Sequence, residues 1–449
     1  MTSAAVFDFI HGLRAADLPE PVRHAARIAI LDTLGVAAAA SRTELSRIIR
    51  AHAACLFGAG GAAASLLFDG RKVSPAGAAL AAASTIDGVD GHDGWRPSKG
   101  HAGCHVIPAA LACSEAERIE GGDEFLAQVV VGYEIGCRVA AVQHATVPEY
   151  HASGSWGAVG TAAVGARALG LTHGQTREAL GIGEYHGPRS QMLRVTTHPT
   201  MVKDSSGWGA MVGVSSAYLA RDGYTGAPAV TVEAPEAAAW FADLGSRWIM
   251  TEQYIKPYPT CRWSHAPIAA ALGLLGAHGL THRDIARVEV RSFREAMTLA
   301  TARPRATDEA QYSIPFPVAA AIVRGRVGPE EIDDSALDDP EFLRLAGTMV
   351  LTEDPSCSAA YPARRVAQVI FDLADGRRIE SPMTEPLGDP ERPLSEAEIR
   401  AKFHEYATPV AGAERAAGIE RSVMGIEGES LRGLLALLAP APGMAAAAE

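Results

Sequence analysis

Between Asp87 and Pro108 the chain reads DGVDGHDGWRPSKGHAGCHVIP, with Asp87, Asp90, His92, Asp93, Arg96, Lys99, His101 and His105 set among glycines. Burying unpaired charge is too costly for such a stretch to form a core. Its glycines, and Pro97 after Arg96, oppose a regular helix. Yet apolar, helix-forming segments flank it, AGAALAAAST before and VIPAALACSEAE after. A polar loop wedged between two buried helices is expected to be the floor of a site. The plain alternative is a solvated, charged surface loop. Imidazoles, carboxylates and cations held together are the raw material of acid–base chemistry, which favours the site.

The 449 residues suffice for two or three domains, and with 48% hydrophobic and 20% charged residues they can bury a large core. The net charge of −12 argues against nonspecific nucleic-acid binding, which needs a basic face. An anionic substrate would therefore need a local cluster of cations. Cys55, Cys104, Cys113, Cys137, Cys261 and Cys357 form no C-x-x-C pair. They read as small hydrophobes in a reducing compartment, not as a disulfide frame or a metal cradle. The N-terminus lacks a basic n-region, and apolar runs such as 28–40 are too short to span a bilayer. A soluble cytoplasmic protein with no membrane partner is expected.

Helical spacing covers 4–14, 21–40, 43–57, 104–117, 121–143 and 173–193, with Asp123 expected as an N-cap. Glu134 and Arg138 stand four apart within an apolar run and should pair internally. Asp32, inside another apolar run, should be a paired core carboxylate. His151 opens a small-residue loop, and Lys203 stands at the mouth of another loop that leads into core. After residue 250 the pattern changes. IARVEVRSF at 285–293 alternates as a strand, and 365–381 reads as a hairpin around Asp375–Gly376. From Leu394 helix returns, with Ser395 and Glu398 as a capping box. The expected fold is mainly α: an all-helical domain from 1–257 and 394–449, and a smaller α+β domain at 258–393. The tail from 439 is expected to fray.

Several of these segments resemble the MmgE/PrpD family: KGHAGCHVIPAALACSEAE, VVVGYEIGCRVA, YHASGSWGAVGTAAVGARALGL, the Lys203–Gly209 stretch, and KPYPTCRWSHAPIAAAL. That family contains 2-methylcitrate dehydratases, cis-aconitate decarboxylases and iminodisuccinate epimerases. The resemblance implies a helical domain plus an α+β domain, a homodimer, and no metal or organic cofactor. It places the family's functional residues on Asp90, His101, His151, Lys203 and Lys256. Two positions depart from the decarboxylases. Gly94 stands where they have a threonine, and Phe316 where they have a tyrosine, so two hydroxyls are lost.

The reactions of such a family share one difficulty: a proton leaves or reaches a carbon beside a carboxylate, and the resulting aci-carboxylate gains charge. Cations in a partly dry site stabilise it. Lys203, Lys256 and Arg262 are the candidates, Arg262 through its bidentate fork. Arg96 and Lys99 are further candidates for holding substrate. His101 and His151 titrate in the right range for proton transfer, and Asp90 could orient a histidine. His105 and His265 should only satisfy core hydrogen bonds. The leading expectation is a cofactor-free, dehydratase-type lyase on a small di- or tricarboxylate. An epimerase of a similar acid, or a catalytically silent carboxylate-binding or structural member, are the alternatives.

Overall fold

The computed structural model describes residues 3–440, so nearly all of the tail expected to fray lies outside the described residues. The chain is mainly helical, with one two-stranded ladder and one four-stranded sheet. The second helix, Glu20–Ala40, begins with Pro21 in its first turn, where the missing amide would lack a partner in any case. It is buried along most of its length, and Asp32 within it accepts from Lys402 Nζ at 2.7 Å. Lys402 comes from the returning C-terminal helix Glu396–Ala411, which starts at the Ser395–Glu398 capping box. That ion pair ties the two ends of the chain together.

Helix Gly122–Thr146 is long and apolar enough to cross a membrane, but its most apolar window lies wholly inside the protein. The Glu134–Arg138 pair within it is buried and closes at 2.9 Å. Its N-cap is Gly121, not Asp123, whose carboxylate sits in the first turn and still complements the helix dipole. Helices Gly154–Ala168 and Ser206–Arg221 approach very closely at their starts. A Cβ on Gly209 would stand 2.4 Å from the Gly154 carbonyl oxygen, and one on Gly154 would stand 2.2 Å from that of Ser205. Small residues there are a packing requirement.

In the four-stranded sheet, Ile285–Ser292 pairs antiparallel with Gln368–Leu373, which continues through the Asp375–Gly376 turn to Arg378–Glu380. Gly376 takes φ +88°, which suits a residue without Cβ. The edge strand Val350–Glu353, parallel to Ile285–Ser292, was not legible beforehand, because it is short and mostly exposed and shows no alternation. Apolar side chains gather in two main cores. One is built from the helices before residue 251 together with Phe403, Tyr406, Ile419 and Leu431. The other joins the sheet to helices His265–His278, Pro315–Arg324 and Pro340–Thr348, and it also takes in Ala152, Met192 and Val195. The segment around His151 therefore packs on the α+β portion.

Candidate active site

The Asp87–His101 loop lies at this junction, and it is not solvated. Asp87, Asp90, His92 and Asp93 are each 4% exposed or less. Burial is tolerated because distant segments bring partners that sequence spacing could not reveal. Asp93 accepts from the Tyr133 hydroxyl at 2.6 Å and from Gly103 N–H at 3.1 Å. Asp87 accepts from Ser206 N–H at 3.2 Å. Asp204 accepts from Ser153 N–H at 2.9 Å and from the Ser153 hydroxyl. Burial pushes the carboxyls of Asp87 and Asp93 up to about 7. Burial, and then the charge of Asp87, push Asp204 up to about 8.

Lys256 is fully buried and donates to Asp90 Oδ1 at 2.6 Å and to the Asp90 carbonyl at 2.9 Å. Lys203 donates to Gln311 Oε1 at 2.6 Å and forms an ion pair with Asp308, also at 2.6 Å. Each expected cation thus has a carboxylate of its own, and neither stands free. Asp90, Lys99 and Lys203 hold φ of +46°, +50° and +47°. Non-glycine residues in this region carry about 1–3 kcal/mol of strain each, and such strain clusters at functional sites.

His101 donates through Nδ1 to the Asp93 carbonyl, and its own N–H donates to Ser153 Oγ at 3.1 Å. That tautomer, assigned from the hydrogen-bond pattern, leaves the Nε2 lone pair available. Burial first, and then the charge of Lys256, hold the imidazolium well below its ordinary range. His92 stands edge-on to His101, with ring centroids 4.5 Å apart. It lies 3.4 Å from Asp87 Oδ1 and 4.0 Å from Asp90 Oδ1, and both its ring nitrogens lack hydrogen-bond partners.

His151 is buried, and its Nδ1 donates to the Glu149 carbonyl at 3.0 Å. Tyr150 and Ser153, on either side of it, bond to the Lys99 carbonyl and the His101 amide. Its segment therefore lies against the first loop, although its ring bonds to none of the other four residues among the described residues. Arg262 does not offer a free fork. It faces Asp389 at 3.1 Å, donates to the Leu387 carbonyl at 2.8 Å, and lies over the Tyr254 ring at 4.5 Å. Arg96 pairs with Glu391, and Lys99 sits 5.6 Å from the Tyr150 ring centroid. Both line an outer cleft of about 580 Å³ with Trp95, Glu252, Pro362 and Ala363.

The bland assignments also have a structural account. His105 donates to the Ala102 carbonyl at 2.9 Å, and His265 bonds to Arg262 and to the Thr260 carbonyl. Cys104 is buried beside Ser206, and burial raises its thiol well above the ordinary value, so it is no nucleophile. The fold does gather two donor sets that spacing did not show: Asp87, His92 and Cys104, and Asp90, His92 and His101, each within 4.8 Å. The second set suits a cation poorly, because Lys256 already engages the Asp90 oxygen and its charge would repel the ion.

Sequence reasoning missed His92 as part of the cluster and Lys402 as the buttress that donates to the Gly91 carbonyl at 2.7 Å. Lys402 sits in a stretch that reads as an ordinary amphipathic helix. His92 was visible as a ring among carboxylates, but its pairing with His101 needs the loop's fold.

Two family models match the chain in succession. The MmgE/PrpD N-terminal domain matches residues 5–244, and the MmgE/PrpD C-terminal domain matches residues 258–426. A cis-aconitate decarboxylase-like protein of Aspergillus oryzae is 25% identical over 95% of this chain and 94% of its own length. A cis-aconitate decarboxylase of Aspergillus terreus is 26% identical over 92% and 91%. A 2-methylcitrate dehydratase of Cupriavidus necator is 27% identical over 52% and 53%. These similarities support an enzyme acting on carboxylates. With both domain types matched in order along most of its length, the chain belongs to the MmgE/PrpD family.

Proposed function

We propose that this protein is a dehydratase-type lyase of a small di- or tricarboxylic acid, working without a cofactor. The observation that carries the reading is His101: a partly buried imidazole, held below its ordinary range first by burial and then by Lys256, whose Nδ1–H is held by the Asp93 carbonyl. Its Nε2 is suited to remove a proton from carbon. In the proposed reaction that nitrogen takes the proton from the carbon next to a substrate carboxylate, and the electron pair moves into the carboxylate. The positive charge of Lys256, held by Asp90, stabilises the extra negative charge. The pair then forms the carbon–carbon double bond as the neighbouring C–O bond breaks. His151, from the adjoining segment, gives the departing hydroxide a proton, so that it leaves as water.

Dehydration is favoured over decarboxylation by the two lost hydroxyls. Gly94 has no room for a side chain, because a Cβ there would stand 2.4 Å from the Tyr254 hydroxyl. Phe316 is fully buried against Phe342, with ring centroids 5.7 Å apart. The test is to incubate the protein with citrate, 2-methylcitrate, malate and cis-aconitate in D2O and follow them by NMR. The expected result is water loss to an unsaturated acid, or its reversal. Deuterium gained at carbon without net conversion would replace the dehydratase reading with an epimerase. Carbon dioxide release from cis-aconitate would replace it with a decarboxylase.

A further inference from the structure

Arg365 has no role in the fold that its surroundings explain. It is 8% exposed, and its Nε and Nη1 atoms are buried with no hydrogen-bond partner. Other buried arginines differ. Arg138 is paired with Glu134 and Asp243, Arg27 with Glu20 and Glu427, and Arg262 with Asp389. Among the described residues no carboxylate stands within ion-pair distance of Arg365. A guanidinium does not shed its charge, so burial leaves it with unmet donors and no countercharge.

Its place in the fold says what those donors face. Pro362 and Ala363, just before it, form one wall of the outer cleft, and Arg96 reaches the Ala363 carbonyl from the opposite wall at 3.4 Å. Val366, just after it, is fixed to the sheet by the Ser292 hydroxyl at 3.1 Å. Arg365 thus follows directly on that wall, and Arg96, Pro97 and Lys99 of the same cleft belong to the loop that ends at His101. Burial raises the Tyr254 hydroxyl, and the Arg365 charge is the next influence and opposes that rise; the Tyr254 ring stands edge-on to His101 with centroids 6.3 Å apart.

We propose that Arg365 binds the substrate carboxylate that is not next to the reacting carbon, and so holds the substrate in register with His101. The inference deepens the dehydratase reading and rests on it for the identity of the bound acid. A guanidinium directs its N–H donors along fixed directions in one plane, which a lysine cannot reproduce. With Lys256 stabilising the carboxylate next to the reacting carbon, Arg365 would hold a second one. The substrate must then carry at least two carboxylates, and monocarboxylates should be rejected.

The experiment uses the full chain as wild type, Arg365→Met and Arg365→Lys, with citrate as probe and acetate as control. Binding is read by calorimetry, and stability by thermal unfolding with and without citrate. Wild type should bind citrate and be stabilised by it, and acetate should do neither. Arg365→Met should bind citrate roughly ten- to a hundredfold more weakly, the scale of losing hydrogen bonds to a charged group. Arg365→Lys should fall between. Without citrate, Arg365→Met should melt at or above the wild-type temperature, because a buried unpaired charge has been removed. A structural arginine would behave in the opposite way. Citrate affinity within twofold of wild type in Arg365→Met, or a lower melting temperature or failure to fold without citrate, would overturn the proposal. Citrate binding that depends on Arg365, in a protein that dehydrates no polycarboxylate, would uphold the carboxylate site and refute the dehydratase reading.

Discussion

Asp90 Oδ1 and Lys256 Nζ, 166 positions apart in the chain, meet at 2.6 Å with both side chains buried. The pair fastens the first loop to the start of the α+β portion, and it sets the electrostatics around His101. Breaking one side of a buried pair leaves the other charge uncompensated, which typically destabilises by about 3–5 kcal/mol. Lys256→Met should therefore lower stability by that order in urea unfolding. The double variant Asp90→Asn/Lys256→Met should recover most of the loss. Turnover should fall by roughly a hundredfold or more in both variants, the scale of removing one preorganised stabiliser of developing charge. Lys256 is thus structural as well as electrostatic, which its isolated position in YIKPYP does not disclose. A Lys256→Met protein as stable as wild type would remove the pair from the stability account.

The second prediction concerns pH and rate. Burial, and then Lys256, hold the His101 imidazolium well below the ordinary histidine range. As a neutral base it should stay competent when the medium falls below pH 6.5, the unperturbed histidine value. The acid limb of kcat/KM for the dehydrated acid should therefore lie below 6.5, and His101→Asn should remove that limb together with most of the activity. A limb at or above 6.5 in wild type would assign the base to another group.

How much of this was legible in the sequence differs from element to element. The long helices were visible because their apolar faces repeat at helical spacing, and the 368–380 hairpin because Asp-Gly sits between two alternating runs. The Asp32 and Glu134 partnerships followed from carboxylates inside apolar segments. The burial of the Asp87–His101 loop was not visible. Local composition placed the loop at the floor of a site but not its partners, which arrive from Tyr133, Ser206, Lys256 and Lys402. Side chains that satisfy one another over such separations leave no periodic trace. For the same reason Arg262 looked free and Arg365 looked ordinary.

The third prediction concerns pH and stability. The Asp204 carboxyl, buried with Ser153, is pushed up to about 8 in the folded protein, while an unfolded aspartate titrates near 3.9. A raised carboxyl means that the folded state holds the proton more tightly. Its contribution is therefore fully present below the unfolded value and is lost as pH rises through about 8. Histidines held below their ordinary range, such as His101, act in the opposite sense, but only as pH falls below their unfolded value near 6.5. Between pH 6.5 and 8.5, wild type should lose melting temperature more steeply than Asp204→Asn, whose amide oxygen still accepts from Ser153 N–H without titrating. Parallel profiles for the two proteins would show that Asp204 is not protonated in the fold.

The fourth prediction concerns metal. An ion at the Asp90, His92 and His101 set would compete with Lys256 for Asp90. Activity should survive prolonged EDTA treatment unchanged. Loss on chelation, restored by one divalent ion, would overturn the cofactor-free reading.

The last prediction addresses which reaction the site excludes. Gly94 and Tyr254 are joined by reciprocal backbone bonds of 3.1 and 2.8 Å, so neither can back away without breaking them. A Cβ on Gly94 would lie 2.4 Å from the Tyr254 hydroxyl, 2.6 Å from its ring carbon and 2.8 Å from the Gly100 carbonyl oxygen. Backbone on one side and a fully buried ring on the other leave nothing flexible to yield. Gly94→Thr, which restores the hydroxyl of the decarboxylase pattern, should therefore destabilise by about 1–3 kcal/mol through overpacking. The displaced ring also supports Arg262 at 4.5 Å and stands edge-on to His101 at 6.3 Å. Turnover of the protein's own acid should consequently fall, and no carbon dioxide should be released from cis-aconitate. Adding Phe316→Tyr should not rescue it, because that ring is packed against Phe342 in the second core. Decarboxylation by the Gly94→Thr/Phe316→Tyr protein, measured as labelled carbon dioxide, would show that the two hydroxyls alone separate the reactions and that the packing around Tyr254 does not.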